Sequence, residues 1–249
     1  MLLAFEIPTK HLEEFVPLED FEFGLAHLFL RKDYPGWEEY HKMYRGCLLD
    51  NGMYELGAPM STETLLRAAE LAKPMAVIAP DWMDDYRQTL DAAYVLQAAK
   101  PQDAKWTVGV VVQGKDYFER ETFFMEARRN RWSPICFPFR SPRNETIKQL
   151  AQKGLLQARQ WFHLLGLRAW DELMWRYPGL WSIDTSKPFK GYKITSQPCR
   201  GQGPVKLHDE MSFTARRLAG WNISFMRQLM QCGERQHLRE LQTKKGKKK

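Results

Sequence analysis

Four polar residues in this chain close four separate apolar runs. Asp50 follows Cys47-Leu48-Leu49, and Asp81 follows Met75-Ala76-Val77-Ile78-Ala79-Pro80. Gln113 follows the apolar, β-branched stretch from Trp106 to Val112, and Asp184 follows Leu180-Trp181-Ser182-Ile183. Two carboxylates facing one substrate divide labour: one attacks carbon as a nucleophile, and the other carries a proton to or from the departing group. Retaining glycosidases use that scheme at an anomeric carbon. A third carboxylate beside an amide matches a purine edge, because the carboxylate accepts from ring N–H and amine donors while the amide donates to a carbonyl oxygen. Tyr54 and Leu165 are candidates to sandwich such a flat ring, a contact worth about 1–3 kcal/mol per stacked base. The competing accounts are ordinary packing for Tyr54 and Leu165, and helix capping for each aspartate.

The elements that must position these residues follow from the same runs. Continuous apolar stretches of this length fit strands buried on both faces of a parallel sheet. Six occur after residue 45, including Ile135 to Phe139 and Trp161 to Leu167. Between them lie helical patterns. Ser61 can cap a helix whose apolar face is Leu65, Leu66, Ala69 and Ala72, and Pro74 should end it at Lys73. Asp84 to Ala99, Tyr117 to Arg129, Asn144 to Ala158 and Arg168 to Trp175 read similarly. Strand–helix alternation implies βα units with right-handed crossovers. The first 45 residues must supply the remaining strands, with Met1 to Ile7 one candidate and Phe21 to Leu30 either strand or helix. Eight strands in about 250 residues is the size of a (β/α)8 TIM barrel, whose strand ends converge on one mouth. The expectation is therefore a single-domain α/β barrel over residues 1–243 with a basic tail over 244–249. A doubly wound sheet is second choice, since no GxGxxG follows any strand.

Composition narrows the class further. With hydrophobic residues at 44% and charged residues at 27%, the chain is neither disordered nor collagen-like. No apolar run approaches the ~18–20 residues of a membrane span, so no membrane partner is expected. The stretch from Met1 to Ile7 lacks a basic start and meets Glu6 too early for a signal peptide. Cys47, Cys136, Cys199 and Cys232 are far apart without a CxxC pair, which argues against a zinc site and for a reducing, cytoplasmic compartment. Lys and Arg number 37 against 30 Asp and Glu, a net charge of +7. Much of the excess lies at Arg239, Lys244, Lys245, Lys247, Lys248 and Lys249. Such a tail is either a solvated end or a device that raises affinity for a polyanion through counterion release.

Several short segments, taken in order, carry a resemblance. They are Leu48-Leu49-Asp50-Asn51-Gly52-Met53-Tyr54-Glu55, Ile78-Ala79-Pro80-Asp81, Val110-Val111-Val112-Gln113-Gly114, His163-Leu164-Leu165-Gly166 and Trp181-Ser182-Ile183-Asp184-Thr185-Ser186. Together, from about Gly46 to Lys190, they resemble the tRNA-guanine transglycosylases, and more closely the short phage relatives that place 7-deazaguanines in DNA. The resemblance implies a TIM-barrel pentosyltransferase that exchanges guanine in DNA for a free 7-deazaguanine base such as 7-cyano-7-deazaguanine. It implies Asp184 as nucleophile and Asp50 as general acid/base. Asp81, Gln113, Gly114, Asn51 and Gly52 would bind the base edge, with Tyr54 and Leu165 against its faces. No metal or redox cofactor is implied. A tRNA substrate, or a nucleoside or base hydrolase on the same fold, is the alternative.

This sequence also departs from that family. The tRNA enzymes carry a zinc subdomain after the nucleophile strand, with a Cys-x-Cys-x-x-Cys cluster and a histidine; here Lys187 to Leu207 holds only Cys199. In its place Lys187, Lys190, Lys193, Arg200 and Lys206 space five cations that can line a phosphate groove, with a flexible solvated loop as the plain alternative. Ile135-Cys136-Phe137-Pro138-Phe139-Arg140 replaces a Gly-Gly-Leu strand end, adding Arg140 to the candidate nucleic-acid contacts. Met53 and Glu55 replace a glycine and a glutamine. Arg128, Arg129 and Arg131 form a second basic cluster. A guanine in duplex DNA must leave the stack at a cost of a few kcal/mol, which favours single-stranded or locally opened DNA. Members of the family often dimerise, but no apolar stripe in this sequence requires a homodimer.

Overall fold

The computed structural model describes residues 1–7, 9–31, 46–185, 187–189 and 211–246. Eight strands form one all-parallel sheet: β1 (Leu2–Phe5), β2 (Glu22–Leu25), β3 (Cys47–Asp50), β4 (Ala76–Ile78), β5 (Thr107–Val111), β6 (Ile135–Pro138), β7 (Phe162–Leu165) and β8 (Leu180–Thr185). Their spatial order is β1-β8-β7-β6-β5-β4-β3-β2, so the chain winds in sequence order and β1 returns beside β8. The result is a nearly closed (β/α)8 TIM barrel. At the seam between β1 and β2, Leu3 N–H donates to Asp20 Oδ2 (2.8 Å) and Asp20 N–H to the Leu3 carbonyl (2.9 Å), while Phe5 N–H donates to the Glu19 carboxylate. Side-chain carboxylates thus meet strand donors that a ladder would otherwise satisfy.

All six apolar runs after residue 45 became strands. The segment from Phe21 to Leu30 became both alternatives in turn: β2, then the helical turn α2 (Ala26–Phe29), preceded in the chain by α1 (Leu12–Phe15). The later helices are α3 (Met53–Leu56), α4 (Thr62–Ala72), α5 (Tyr86–Ala99), α6 (Tyr117–Arg129), α7 (Arg143–Gln152) and α8 (Phe213–Gly246). Ser61 Oγ accepts from Thr64 N–H at 3.3 Å, and α4 stops at Lys73, which turns left-handed at φ 43° before Pro74. Its buried face is Leu65, Ala68, Ala69 and Ala72, with Leu66 only partly covered. Arg168 to Trp175 gives a 3-10 turn (Trp170–Met174) instead of an α-helix. Here Glu172 turns inward to accept the Arg168 and Ala169 N–H groups at 2.7 and 3.2 Å, which tightens the segment around it. No break falls at residue 244, because α8 runs on through Gly246; Lys247 to Lys249 lie outside the described residues.

The core has two layers, set by the period-2 alternation of each strand. Inside the barrel sit Ala4, Phe23, Leu48, Ala76, Ile78, Val111 and Cys136; between barrel and helices sit their neighbours Leu3, Leu49, Val77, Val110 and Ile135. Among the described residues no helix is long and apolar enough to cross a membrane.

Candidate active site

Pleat parity aims the polar residues. Leu48 faces the barrel interior, so Asp50, two residues on, faces the same way above it. Val111 is interior, and Gln113 follows it with the same parity just past β5. Ile183 points outward to the helices, leaving Ser182 and Asp184 on the inner face of β8. Asp50, Asp81, Gln113 and Asp184 accordingly line one cavity of about 320 Å³ at the carboxyl-terminal mouth. Tyr54, Leu165 and Arg140 line it too.

Asp81 does not cap the helix that follows it, whereas Asp50 makes a local turn bond to the Gly52 N–H. The caps of α5 and α6 are Asp85, accepting from Gln88 N–H at 3.0 Å, and Asp116, accepting from Glu119 N–H at 2.9 Å. Asp81 is instead bracketed by amides: Asn51 Nδ2 donates to Oδ1 (2.8 Å) and Gln113 Nε2 to Oδ2 (2.7 Å). Gln113 is itself oriented by the Asp84 N–H, which donates to its Oε1 at 3.2 Å. Each Asp81 oxygen keeps a further lone pair, and the Gln113 amide a second N–H, for a ligand in the cavity. Asp50 Oδ2 accepts the Gly52 N–H at 2.9 Å.

Asp184 is held from behind. Trp161 Nε1, which can only donate, bonds Ser182 Oγ at 2.5 Å, and the same hydroxyl lies 2.8 Å from His163 Nδ1. The Asp184 carboxylate only accepts, so His163 Nε2 donates to Oδ1 at 2.9 Å, and in the neutral ring Nδ1 is then the nitrogen that accepts from the Ser182 hydroxyl. Gly166 N–H donates to the same oxygen at 3.0 Å. Gly166 adopts φ 67°, a left-handed backbone open to glycine at little strain, and so presents its N–H to the carboxylate. Oδ2 has no hydrogen-bond partner among the described residues and is the oxygen available to a substrate. His163 is fully buried and stacks on Phe23, with ring centroids 5.8 Å apart.

Electrostatics follow from this crowding. Burial, then the nearby Glu55 charge, pushes the Asp50 carboxyl well above the usual carboxylate range; Asp81 and Asp184 add to the shift and the Gly52 N–H opposes it. Burial also raises Asp81, with the Asn51 and Gln113 hydrogen bonds pulling it back. The Cys136 thiol on β6 is pushed up by burial and then by the charges of Asp50, Asp184 and Asp81 together. Glu55 rises through burial of its carboxylate and the Asp184 charge, though it stands on the open rim where solvent screens it.

A stability prediction follows from Asp50. A carboxyl raised in the folded state contributes stability that is fully present below its unfolded pKa and is lost as pH climbs toward the folded value. Asp50→Asn should therefore stabilise the fold at pH 7 by about 1 kcal/mol, a Tm rise of about 2–4 °C. The gain should shrink to nothing as pH falls below the ordinary carboxylate range. Thermal melts of both proteins from pH 3 to 8 test this, and a destabilised variant at pH 7 would refute it.

The remaining sequence candidates distribute as follows. Asn51 is fully buried behind the cavity, its Nδ2 also reaching the Ala79 carbonyl (2.8 Å) and its Oδ1 accepting the Met53 N–H (2.9 Å), so it positions Asp81. Gly52 opens α3, and Gly114 lies outside the lining with its carbonyl held by Arg120 at 2.9 Å. Tyr54 is 48% exposed, edge-on to Phe139 at 5.5 Å, and the Arg140 guanidinium sits 4.8 Å above its ring. Arg140 thus belongs to the cavity rim. Lys187 begins a 3-10 turn (Lys187–Phe189) but its side chain is outside the described residues, as are Lys190, Lys193, Arg200, Lys206 and Cys199. Among the described residues no cluster of His, Cys, Asp and Glu is arranged to hold a metal. Sequence reasoning gave no role to His163, Ser182 or Trp161. The available signal was parity, since Ser182 stands two residues before Asp184 and His163 interrupts an apolar run on the adjacent strand.

The fold and site define a class: a (β/α)8 barrel with a buried carboxylate cluster at its carboxyl-terminal mouth. No protein-family model matches the chain, and no curated protein matches it in sequence.

Proposed function

We propose that this protein is a transglycosylase that replaces guanine in DNA with a free 7-deazaguanine base. The observation that carries the reading is the gathering of Asp50, Asp81, Asp184 and Gln113 around one cavity of small-molecule size. In this reading Asp184 Oδ2 attacks C1′ of the target nucleotide, forming a C–O bond as the C1′–N9 bond breaks. Asp50, whose carboxyl is raised by burial, gives its proton to the departing guanine. The incoming base loses a proton to the Asp50 carboxylate, attacks C1′, and releases Asp184. Two displacements at one carbon retain the β configuration. Asp81 and Gln113 accept from and donate to the base edge. Support for the base class comes from the ordered segments resembling the transglycosylases. Net positive charge suits either polymer; support for DNA over tRNA comes from the lone cysteine where that family's zinc cluster would lie.

Incubation with labelled 7-cyano-7-deazaguanine and either single-stranded DNA or tRNA tests the reading. Label should enter DNA. Label in tRNA alone would overturn the choice of polymer, and guanine released without uptake would point to a hydrolase.

A further inference from the structure

A second concavity lies at the opposite end of the barrel. Its walls come from the segments entering β6 and β7: the last turn of α6, residues 131–133, and residues 157–160. It encloses about 510 Å³, and of the nine residues lining it four are arginines (Arg128, Arg129, Arg131 and Arg159) and none is acidic. Arg129 is engaged by Glu126 at 2.6 Å. The side chains of Arg131 and Arg159 have no hydrogen-bond or ion-pair partner among the described residues. Trp132, on the same wall, has a buried indole N–H without an acceptor among them.

The backbone at Arg131 adds an independent observation. Arg131 N–H bonds the Arg128 carbonyl at 3.1 Å and Trp132 N–H the Ala127 carbonyl at 3.0 Å, the paired bonds that end a helix through one left-handed residue. Arg131 is that residue, at φ 57°, where glycine is strongly favoured and a side chain adds strain. The dipole of α6 accounts for cations on its last turn. It does not bring Arg159, from the loop before β7, to the same cavity.

We propose that this cavity binds a small phosphate-bearing anion of nucleotide size. Guanidinium forks match phosphate oxygens two at a time, and the volume suits a ligand of that size. The arginines converge on one depression, which favours a compact polyphosphate over an extended strand. The site is distinct from the carboxylate mouth and independent of the reaction proposed there.

The test is titration calorimetry of the full chain with ATP, inorganic triphosphate, and an oligonucleotide lacking terminal phosphates. ATP and triphosphate should bind one per chain. Arg131→Gly should weaken both at least tenfold while leaving Tm unchanged or higher, because glycine suits that backbone. Arg159→Gln should weaken them similarly, and base exchange at the mouth should persist in both variants. Absence of binding, or equal affinity in wild type and variants, overturns the proposal. So does an oligonucleotide that depends on Arg131 while ATP and triphosphate fail to bind.

Discussion

Asp184→Asn should lower base exchange by at least about 10⁴-fold, the scale on which loss of a nucleophile is felt, while polymer binding stays within about twofold. The geometry separates the two effects. Asparagine fills the same space between β7 and β8 and still offers an oxygen to His163 Nε2–H and the Gly166 N–H. It lacks the anionic second oxygen that would attack C1′. Single-turnover exchange assays, paired with filter binding, measure both quantities. A variant that exchanges at wild-type rate would remove Asp184 from the nucleophile role and, with it, the proposed reaction. Equal losses of binding and exchange would instead assign Asp184 to holding the substrate.

The largest expected loss of stability lies elsewhere. Arg143 is fully buried at the start of α7 and pairs with the carboxylate of Glu172, Nε to Oε1 at 2.8 Å and Nη2 to Oε2. Its remaining donors reach the carbonyls of Phe137 (3.2 Å), Leu165 (2.9 Å) and Gly166 (2.6 Å) at the ends of β6 and β7. Arg143→Ala leaves the buried Glu172 carboxylate without its counter-charge and takes a donor from three carbonyls, so a cost of about 3–5 kcal/mol is expected. In a chain of this size that lowers Tm by roughly 6–20 °C. A paired replacement, Arg143→Met with Glu172→Leu, removes the unpaired charge and should recover part of the loss. Recovery should be incomplete, because the three carbonyls still lose the Arg143 donors. Calorimetric melts decide the matter, and a single variant within 2 °C of wild type would contradict it. Because Gly166 also donates to Asp184, the single variant should disturb the mouth as well as the melt.

What the sequence disclosed depended on whether the signal was local. Runs such as Val108 to Val112 and Ile135 to Phe137 declare a strand buried on both faces without reference to any partner, and Ser61 declares a cap within three residues. The convergence of Asp50, Asp81, Gln113 and Asp184 was equally legible once a parallel barrel was assumed, since such strands all end at one mouth. The chain from Trp161 through Ser182 and His163 to Asp184 was not. It joins two strands through a register that no single segment encodes, and each member alone passes for an ordinary core residue. Glu172 shows the same limit from another side. A carboxylate 2% exposed looks like a surface residue in sequence until Arg143, 29 positions away, is seen against it. The sequence offers Arg140 only as a candidate nucleic-acid contact; its place over Tyr54 depends on how the loops after β3 and β6 meet.

The single helical turn α3 carries a different lesson. It is bounded by two left-handed glycines, Gly52 at φ 72° and Gly57 at φ 74°, and none of its four residues is buried. Met53, Tyr54 and Glu55 nevertheless all face the cavity. Selection can therefore swap these three side chains with little penalty to folding, retuning which ligands are admitted while the barrel beneath stays fixed. Divergence among descendants of this chain should accumulate there first.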